Sequence, residues 1–202
     1  GTQPLGVAIQ TDATTGFVAN SGSNSVSEFR IDTGAAISTI PSDQQPGAVA
    51  VDQGDFLAAY TNAQQNTVQV TALGGGTLQG GRISNFQLPT GITYDPVSNQ
   101  FIVTNSLQNN VAFISPSSLV ATLVRVGINP TSLDYNPQTS TLVTVNSLSH
   151  TLSVMDFQSN QVKALLSVDG STQFSVAIQP QTNMAVIADT KNNRVLLVPL
   201  PR

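Results

Sequence analysis

The sequence contains no cysteine and few ionisable side chains of any kind. Without cysteine the fold can use neither disulfides nor thiolate metal sites. Charged residues make up only 9% of the chain, with a single glutamate, Glu28, a single histidine, His150, and two lysines, Lys163 and Lys191. Because general acid–base catalysis depends on such groups, a proton-transfer enzyme is hard to build from this composition.

Charge and hydropathy argue against two further kinds of partner. The formal net charge is −4 and the isoelectric point is near 4.5, whereas nucleic-acid binding draws on clustered lysine and arginine. No apolar run approaches the roughly 18 residues that a membrane-spanning helix needs. A charge-poor chain without thiols, rich in asparagine and threonine, is typical of an extracellular or cell-surface bacterial protein, with the periplasm as the alternative.

Two short motifs recur five times along the chain with the same period. The first is an apolar strand, with proline as its first residue in four copies, that begins at residues 4, 46, 89, 130 and 173. The second is a strand that ends in an amide or acid, at Asn20, Asn62, Asn105, Asn146 and Asp189. Both motifs are spaced by 41 to 43 residues. Two motifs that keep one period over five copies identify a tandem repeat.

Each repeat contains short predicted strands separated by glycine, proline and asparagine turns. The weaker fourth strands are predicted at residues 36–40, 82–86, 121–126 and 162–168. Four antiparallel strands in a unit of forty-odd residues predict an all-β fold, a β-propeller of five four-stranded blades. We expect a single domain over residues 1–202, with blades at about 4–45, 46–88, 89–129, 130–172 and 173–202.

The fifth blade is predicted to lack its fourth strand, because the sequence stops soon after the strand Arg194–Val198. Three alternatives stay open. The chain is a complete protein with a protected three-stranded blade, or a fragment of a longer protein with further blades, or it associates with a second copy edge to edge. Pro199 and Pro201 are residues that would blunt such an exposed edge.

The strand Ile102-Val-Thr-Asn105, followed by Val111, resembles the YVTN family of β-propellers. The repeat of that family carries a strand ending Tyr-Val-Thr-Asn and then a strand containing valine. The resemblance extends over almost the whole chain, and it implies a propeller fold of the kind found in surface-layer and other cell-surface proteins of prokaryotes. The motif is structural, so it implies no particular activity.

The amide or acid that ends the second strand precedes a turn in every repeat. Four residues later the turn carries Asn24, Asn66, Asn109, His150 or Asn193. Asparagine and aspartate bond to nearby backbone and tolerate a positive φ, so turn closure is the simpler interpretation. The alternative is a binding rim, in which five polar loops present side chains to a protein or glycan. The candidate binding residues of this rim are Asn20, Asn62, Asn105, Asn146, His150 and Asp189.

Asp134 is a separate candidate, since it replaces alanine or threonine in the innermost strand of the other blades. It is expected to be a structural carboxylate or to bind a cation or water near the central channel. Glu28 is expected to face solvent or to pair with Arg30 or another neighbour. No second glutamate is available for a carboxylate pair, so glycosidase chemistry would need two aspartates.

The sequence predicts no metal site and no cofactor. The nearest approach to a calcium loop, Asp52-Gln-Gly-Asp55, reads more simply as a turn between strands. The run Gly74–Gly81 is not followed by Gly-Lys-Ser/Thr and is predicted to be a connection between the third and fourth strands of blade two.

We therefore expect a non-catalytic binding or structural module of a secreted or cell-surface protein, with loop rims that contact protein or glycan. The competing class is a lactonase- or lyase-like propeller enzyme with its chemistry centred on Asp134 or His150. Propeller lactonases need several metal-binding carboxylates and streptogramin lyases need a catalytic histidine in a defined cluster. Neither set is visible in this sequence.

Overall fold

A computed structural model describes residues 1–10, 14–52, 54, 56–73, 80–157, 159–168 and 173–201 of the chain. These residues form nineteen β-strands and one short 3-10 turn, Ser106–Gln108, so the prediction of an all-β fold is confirmed. The chain divides into two compact units. Unit 1 comprises Gly1–Val103 and Phe113–Ala121, and unit 2 comprises Thr104–Ala112 and Thr122–Arg202.

The strands form five sheets in the described residues, and in each sheet the strands follow one another in chain order. The first sheet contains β1 (Pro4–Gln10), β2 (Thr15–Asn20), β3 (Ser25–Arg30) and β4 (Ala36–Pro41). The second contains β5 (Pro46–Asp52), β6 (Leu57–Asn62), β7 (Thr67–Ala72) and β8 (Gly81–Ile83). The third contains β9 (Pro89–Asp95), β10 (Gln100–Asn105), β11 (Asn110–Ile114) and β12 (Ala121–Arg125).

The last two sheets differ in strand number. The fourth contains β13 (Pro130–Asn136), β14 (Thr141–Asn146), β15 (Thr151–Asp156) and β16 (Gln161–Ser167). The fifth contains three strands in the described part of the chain, namely β17 (Gln173–Gln179), β18 (Met184–Asp189) and β19 (Arg194–Pro199). Each sheet therefore corresponds to one predicted repeat, and the fifth has the three strands expected from the sequence.

The two repeated motifs are cross-strand partners. The residue that begins the first strand pairs with the amide or acid that ends the second, as in Pro4–Asn20, Pro46–Asn62, Pro130–Asn146 and Gln173–Asp189. Just beyond each of these pairs the register shifts by a bulge. Since the paired positions meet across one ladder, their spacing is the same in every repeat.

Each unit contains a core formed where one sheet packs against the next. In unit 1, side chains of β2 and β3 in the first sheet pack against β5 and β6 of the second. This cluster contains Phe17, Ala19, Val26, Val49, Val51, Ala58, Tyr60 and Leu73. In unit 2, β14 and β15 of the fourth sheet pack against all three strands of the fifth, through alternate apolar residues of each strand. Alternation along the strands thus buries one face of each sheet against its neighbour.

The structure corrects one local prediction and decides between the alternatives of another. The fourth strand of the second sheet ends at Ile83 rather than Phe86, because Asn85 has a left-handed backbone (φ 75°) that leaves the pleat. Glu28 bonds to another neighbour, one of the predicted alternatives, rather than to Arg30. Glu28 accepts a hydrogen bond of 2.7 Å from Ser38 across the ladder, and Arg30 binds the neighbouring Asp32.

Some predictions fall outside the described residues. The segment 74–79, which makes up most of the glycine-rich run, is one of them, and so are two positions of the Asp52–Asp55 turn. Asp52 itself accepts a hydrogen bond of 2.7 Å from the backbone N–H of Gly54, as expected for a turn. No helix in the described part of the chain has the length and apolar character needed to cross a bilayer.

The Asp156–Lys163 ion pair gives the fold an expected acid dependence. The Lys163 ammonium lies 2.6 Å from the carboxylate and, with the backbone N–H of Ser159, lowers the pKa of Asp156 to about 2. Because the pKa is lower in the folded state, the pair stabilises the fold above about pH 4, and this contribution is lost as the pH falls toward about 2. We expect Asp156→Asn to remove this part of the acid dependence.

The measurement is urea unfolding of wild type and Asp156→Asn between about pH 2 and pH 6. The difference in free energy of unfolding should be constant above about pH 5 and shrink at lower pH. Lys163→Met is the matched variant, because it removes the same pair from the other side. A difference that does not change with pH would contradict the assignment of the lowered pKa to this pair.

Candidate functional site

The loops between the second and third strands have one backbone feature in common in all five sheets. They span residues 21–24 and 63–66 in unit 1, and 106–109, 147–150 and 190–193 in unit 2. The last residue of each loop adopts a left-handed conformation, with φ of 50° at Asn24, 57° at Asn66, 56° at Asn109, 53° at His150 and 51° at Asn193. The predicted tolerance of positive φ at this position is therefore used in every repeat.

The side chains that end the second strands are buried beneath these loops. This holds for Asn20, Asn62, Asn105, Asn146 and Asp189. In the described part of the chain, four of the five have side-chain hydrogen bonds to other protein groups, and the bonds of Asn146 show the pattern. Its Nδ2 donates to the backbone oxygen and Oγ1 of Thr151, at 3.3 and 3.1 Å, and to Oγ of Ser153 at 2.9 Å. Burial of this kind favours turn closure over ligand contact as the role of these residues.

Asn20 and Asn105 close their loops by similar bonds. Asn20 Nδ2 donates to the Ser27 hydroxyl at 2.8 Å. Asn105 Nδ2 donates to Oε1 of Gln108 at 2.6 Å and to Oδ1 of Asn110 at 3.2 Å. The amide thus joins the second strand to the third in each case.

Asp189 closes the fifth loop with charge instead of amides. Its carboxylate accepts a bond of 2.8 Å from Nε of Arg194 and bonds from the backbone and side chain of Asn192. Asp189 is buried while the Arg194 guanidinium is partly exposed. A charged pair therefore replaces the neutral amide of the other four repeats, and Asp189 is not a free carboxylate for chemistry.

The left-handed asparagines connect each loop to the start of the next sheet. The side-chain oxygens of Asn24, Asn66 and Asn109 accept the backbone N–H of the residue just before the next repeat. The donors are Gln45 at 2.9 Å, Leu88 at 2.8 Å and Asn129 at 2.9 Å. His150, in the same position, accepts the backbone N–H of Val168 through its own carbonyl at 3.0 Å. These bonds hold the loops in place on their sheets.

Exposed aliphatic side chains lie on these loops in unit 2. Leu107 is 62% exposed, Leu148 is 65% exposed and Ile128, in the connection before β13, is 53% exposed. Backbone bonds tie the last two together, from Leu148 N to Ile128 O at 3.2 Å, and the Ile128 N–H donates to the Ser149 hydroxyl at 2.9 Å. We call Leu107, Ile128 and Leu148 the aliphatic rim.

The sequence analysis missed the aliphatic rim because it followed only the polar residues of the turns. A signal was present, since Asn-Ser-Leu occurs in two successive repeats, at 105–107 and 146–148. The corresponding third positions in the other repeats are Gly22, Gln64 and Lys191. A large aliphatic residue in a polar, solvent-exposed turn is the feature that should have been noticed.

Asp134 lies on β13 and bonds to backbone on two strands. One oxygen accepts the N–H of Tyr135 at 2.8 Å, and the other accepts the N–H of Ile178 on β17 at 2.7 Å. Burial raises the pKa of Asp134, and these two hydrogen bonds act in the opposite direction. Ser132, two residues earlier, accepts the N–H of Val176 in the same way at 3.3 Å. Asp134 therefore joins the first strands of the fourth and fifth sheets.

The described residues contain no group of three or more histidine, cysteine, aspartate or glutamate side chains placed to hold a metal ion. Asp134 and His150 lie on different elements of unit 2, β13 and the β14–β15 loop. The surface feature that stands out among the loops is thus the aliphatic rim.

Comparisons with known proteins identify the fold. No family model matches the chain, and its sequence matches no curated protein. Among solved structures, hydrazine synthase of Kuenenia stuttgartiensis is similar, with a TM-score of 0.81 and 19% identity over 98% of this chain. The nidogen/laminin complex is also similar, with a TM-score of 0.74 and 17% identity over 98% of this chain.

The chain spans 66% of the matched hydrazine synthase chain, just under two thirds, and 80% of the matched nidogen/laminin chain. At these identities the similarity concerns the fold alone. The structural neighbours are β-propeller proteins, and this chain of antiparallel sheets has a β-propeller fold.

Proposed function

We propose that the chain is a non-catalytic β-propeller module, with five blades of the YVTN type, that binds a protein partner through the aliphatic rim. The observation that carries the proposal is the exposure of Leu107, Ile128 and Leu148 on loops with a fixed backbone. Exposed apolar side chains surrounded by polar residues are typical of protein interaction surfaces. Loops held by a rigid scaffold are also where binding residues are commonly found.

Pre-ordering of the loops supports the proposal. Asn109 and His150 are fixed by bonds to the connections that follow their own sheets, and Asn105 and Asn146 are fixed by buried bonds beneath them. A surface that is ordered before binding loses less conformational entropy when a partner arrives. The buried asparagines therefore contribute to binding indirectly, by positioning the exposed residues.

A secreted or cell-surface location is part of the same proposal. It is supported by the low charge and the absence of cysteine, and by the similarity of the fold to the nidogen/laminin complex, which is a complex of two proteins. A glycan is the other class of partner consistent with the polar parts of the loops. The exposed aliphatic side chains favour protein, because they offer apolar area rather than hydrogen bonds.

The test is peptide selection on the immobilised chain, followed by affinity measurement. Random peptides displayed on phage are selected on wild type, and their Kd values are measured for wild type and for Leu107→Ser/Leu148→Ser. We expect the double variant to lose about tenfold or more in affinity, since truncating a central interface residue costs more than about 1 kcal/mol.

Gln64→Ser is the matched control, because Gln64 is exposed at the same loop position in unit 1. It should bind the selected peptides like wild type. Peptides that bind the double variant as tightly as wild type would contradict the proposal, and specific binding on a glycan array alone would assign the rim to glycan. Lactone hydrolysis by the wild-type chain that Asp134→Asn abolishes would overturn the non-catalytic assignment.

A further inference from the structure

The interface between the fourth and fifth sheets shows how sheets pack in unit 2. Alternate residues of β14 and β15 form its fourth-sheet side, and these are Val143, Val145, Leu152 and Val154. Residues of β17 and β18 form its fifth-sheet side, and these are Val176, Ile178, Ala185 and Ile187. All eight side chains are buried. The fourth sheet thus packs one face against the fifth, and the first sheet packs one face against the second in the same way.

The corresponding face of the fifth sheet has exposed apolar side chains in the described part of the chain. The residues that correspond to those of β14 and β15 one repeat later are Val186, Ala188, Val195 and Leu197. Val195 and Leu197 are 64% and 65% exposed, although Leu152 and Val154, at the same positions of the fourth sheet, are buried. We call these four residues the β19 face.

The opposite face of the first sheet also has exposed apolar side chains among the residues that the structure describes. Val7 and Ile9 on β1 are 65% and 55% exposed, and Leu5, near the start of the same strand, is 69% exposed. The corresponding residues of β5, Val49 and Val51, are buried in the core of unit 1. We call Leu5, Val7 and Ile9 the β1 face.

The β19 face and the β1 face correspond to the two opposite sides of the sheet-on-sheet interface that occurs within each unit. The β19 face has the positions that receive a following sheet, and the β1 face has the positions that pack on a preceding sheet. Inside each unit, contact between these two kinds of face buries apolar side chains and forms the core. Burial of apolar area of this kind is the main driving force of association.

We infer that the β19 face of one copy of this chain packs against the β1 face of a second copy. The contact continues between molecules the sheet-on-sheet packing that each unit already contains. It is head to tail, because the two surfaces differ, so the assembly either closes into a ring or extends as an open array. It is also distinct from edge-to-edge pairing, which would use the backbone of β19 rather than its side chains.

The test uses one variant that blocks each face. Val7→Asp places a charge on the β1 face and Leu197→Asp places one on the β19 face. In sedimentation velocity over a concentration series, wild type should associate, and each variant alone should remain monomeric. An equal mixture of the two variants should form a 1:1 dimer that does not grow, because one intact β19 face meets one intact β1 face.

The other outcomes identify what is wrong. Wild type that stays monomeric at every concentration overturns the inference. Val7→Asp that still associates alone points to β19 edge pairing and also overturns it, as does Leu197→Asp that still associates alone through two β1 faces. Val97→Asp is the control, since Val97 is 75% exposed and lies on neither face, and it should associate like wild type. Ile9→Lys and Val195→Lys form a second pair if either aspartate variant fails to fold by circular dichroism.

Discussion

Replacing Leu152 by alanine should lower the free energy of unfolding by about 2–5 kcal/mol, whereas the same change at Leu197 should alter it by less than about 0.5 kcal/mol. Both leucines lie on third strands and on corresponding sides of their sheets. Leu152 is fully buried in the core of unit 2. Leu197 lies two residues beyond the position equivalent to Leu152 and is largely exposed. The chemical change is identical, so the comparison measures burial alone.

The measurement is equilibrium unfolding in urea, with the midpoint and the slope both compared with wild type. A low protein concentration keeps any association of copies from adding to the stability of Leu197. Similar losses for the two variants would show that Leu197 is covered in solution. A small loss for Leu152→Ala would contradict the sheet-on-sheet core of unit 2.

The strands of this chain are largely predictable from the sequence because their signals are local. The first-strand motif predicted at Pro130–Tyr135 lies within β13 (Pro130–Asn136), and the second-strand motif ends at Asn146, where β14 ends. Proline, alternation and a turn asparagine all operate within a few residues. Because the same signals recur in every repeat, the strands of the other repeats are predictable in the same way.

Whether the side chains on one face of a sheet are buried is not predictable in the same way, because it depends on a neighbouring sheet. Val7 and Val49 occupy the same position of the same motif, yet Val7 is exposed and Val49 is buried. Nothing within either repeat distinguishes them. The difference arises because the first sheet packs beneath Val49, which is a contact between residues far apart in the sequence.

The loops show the same limitation for polar residues. Asparagine in a turn is normally taken to face solvent, but Asn105 and Asn146 point inward and are buried. Leucine is normally taken to be buried, but Leu107 and Leu148 are exposed because the turn carries them outward. Burial therefore argues against the asparagines as contact residues, and exposure favours Leu107 and Leu148 instead.

The buried turn asparagines provide the second large expected effect. Asn146→Ala should destabilise the chain by about 1–2 kcal/mol, because it removes the bonds from the amide to Ser153 and Thr151, and a hydrogen bond of this kind contributes about 0.5–1.5 kcal/mol. The amide of Asn146 donates to three oxygens on Thr151 and Ser153, and the Ser153 side chain is fully buried. With alanine at this position, water cannot easily replace the lost donor.

Asn62 is the matched control, because it ends the second strand of its own sheet in the same register and is equally buried. In the part of the chain that the structure describes, neither its side-chain nitrogen nor its oxygen has a hydrogen-bond partner. Asn62→Ala removes an amide that is already unpaired, so we expect a change within about 1 kcal/mol of zero. The two variants are compared by urea unfolding at one pH. Equal losses at the two positions would show that the backbone preference of asparagine, rather than the buried bonds, is what the repeat requires at the end of its second strand.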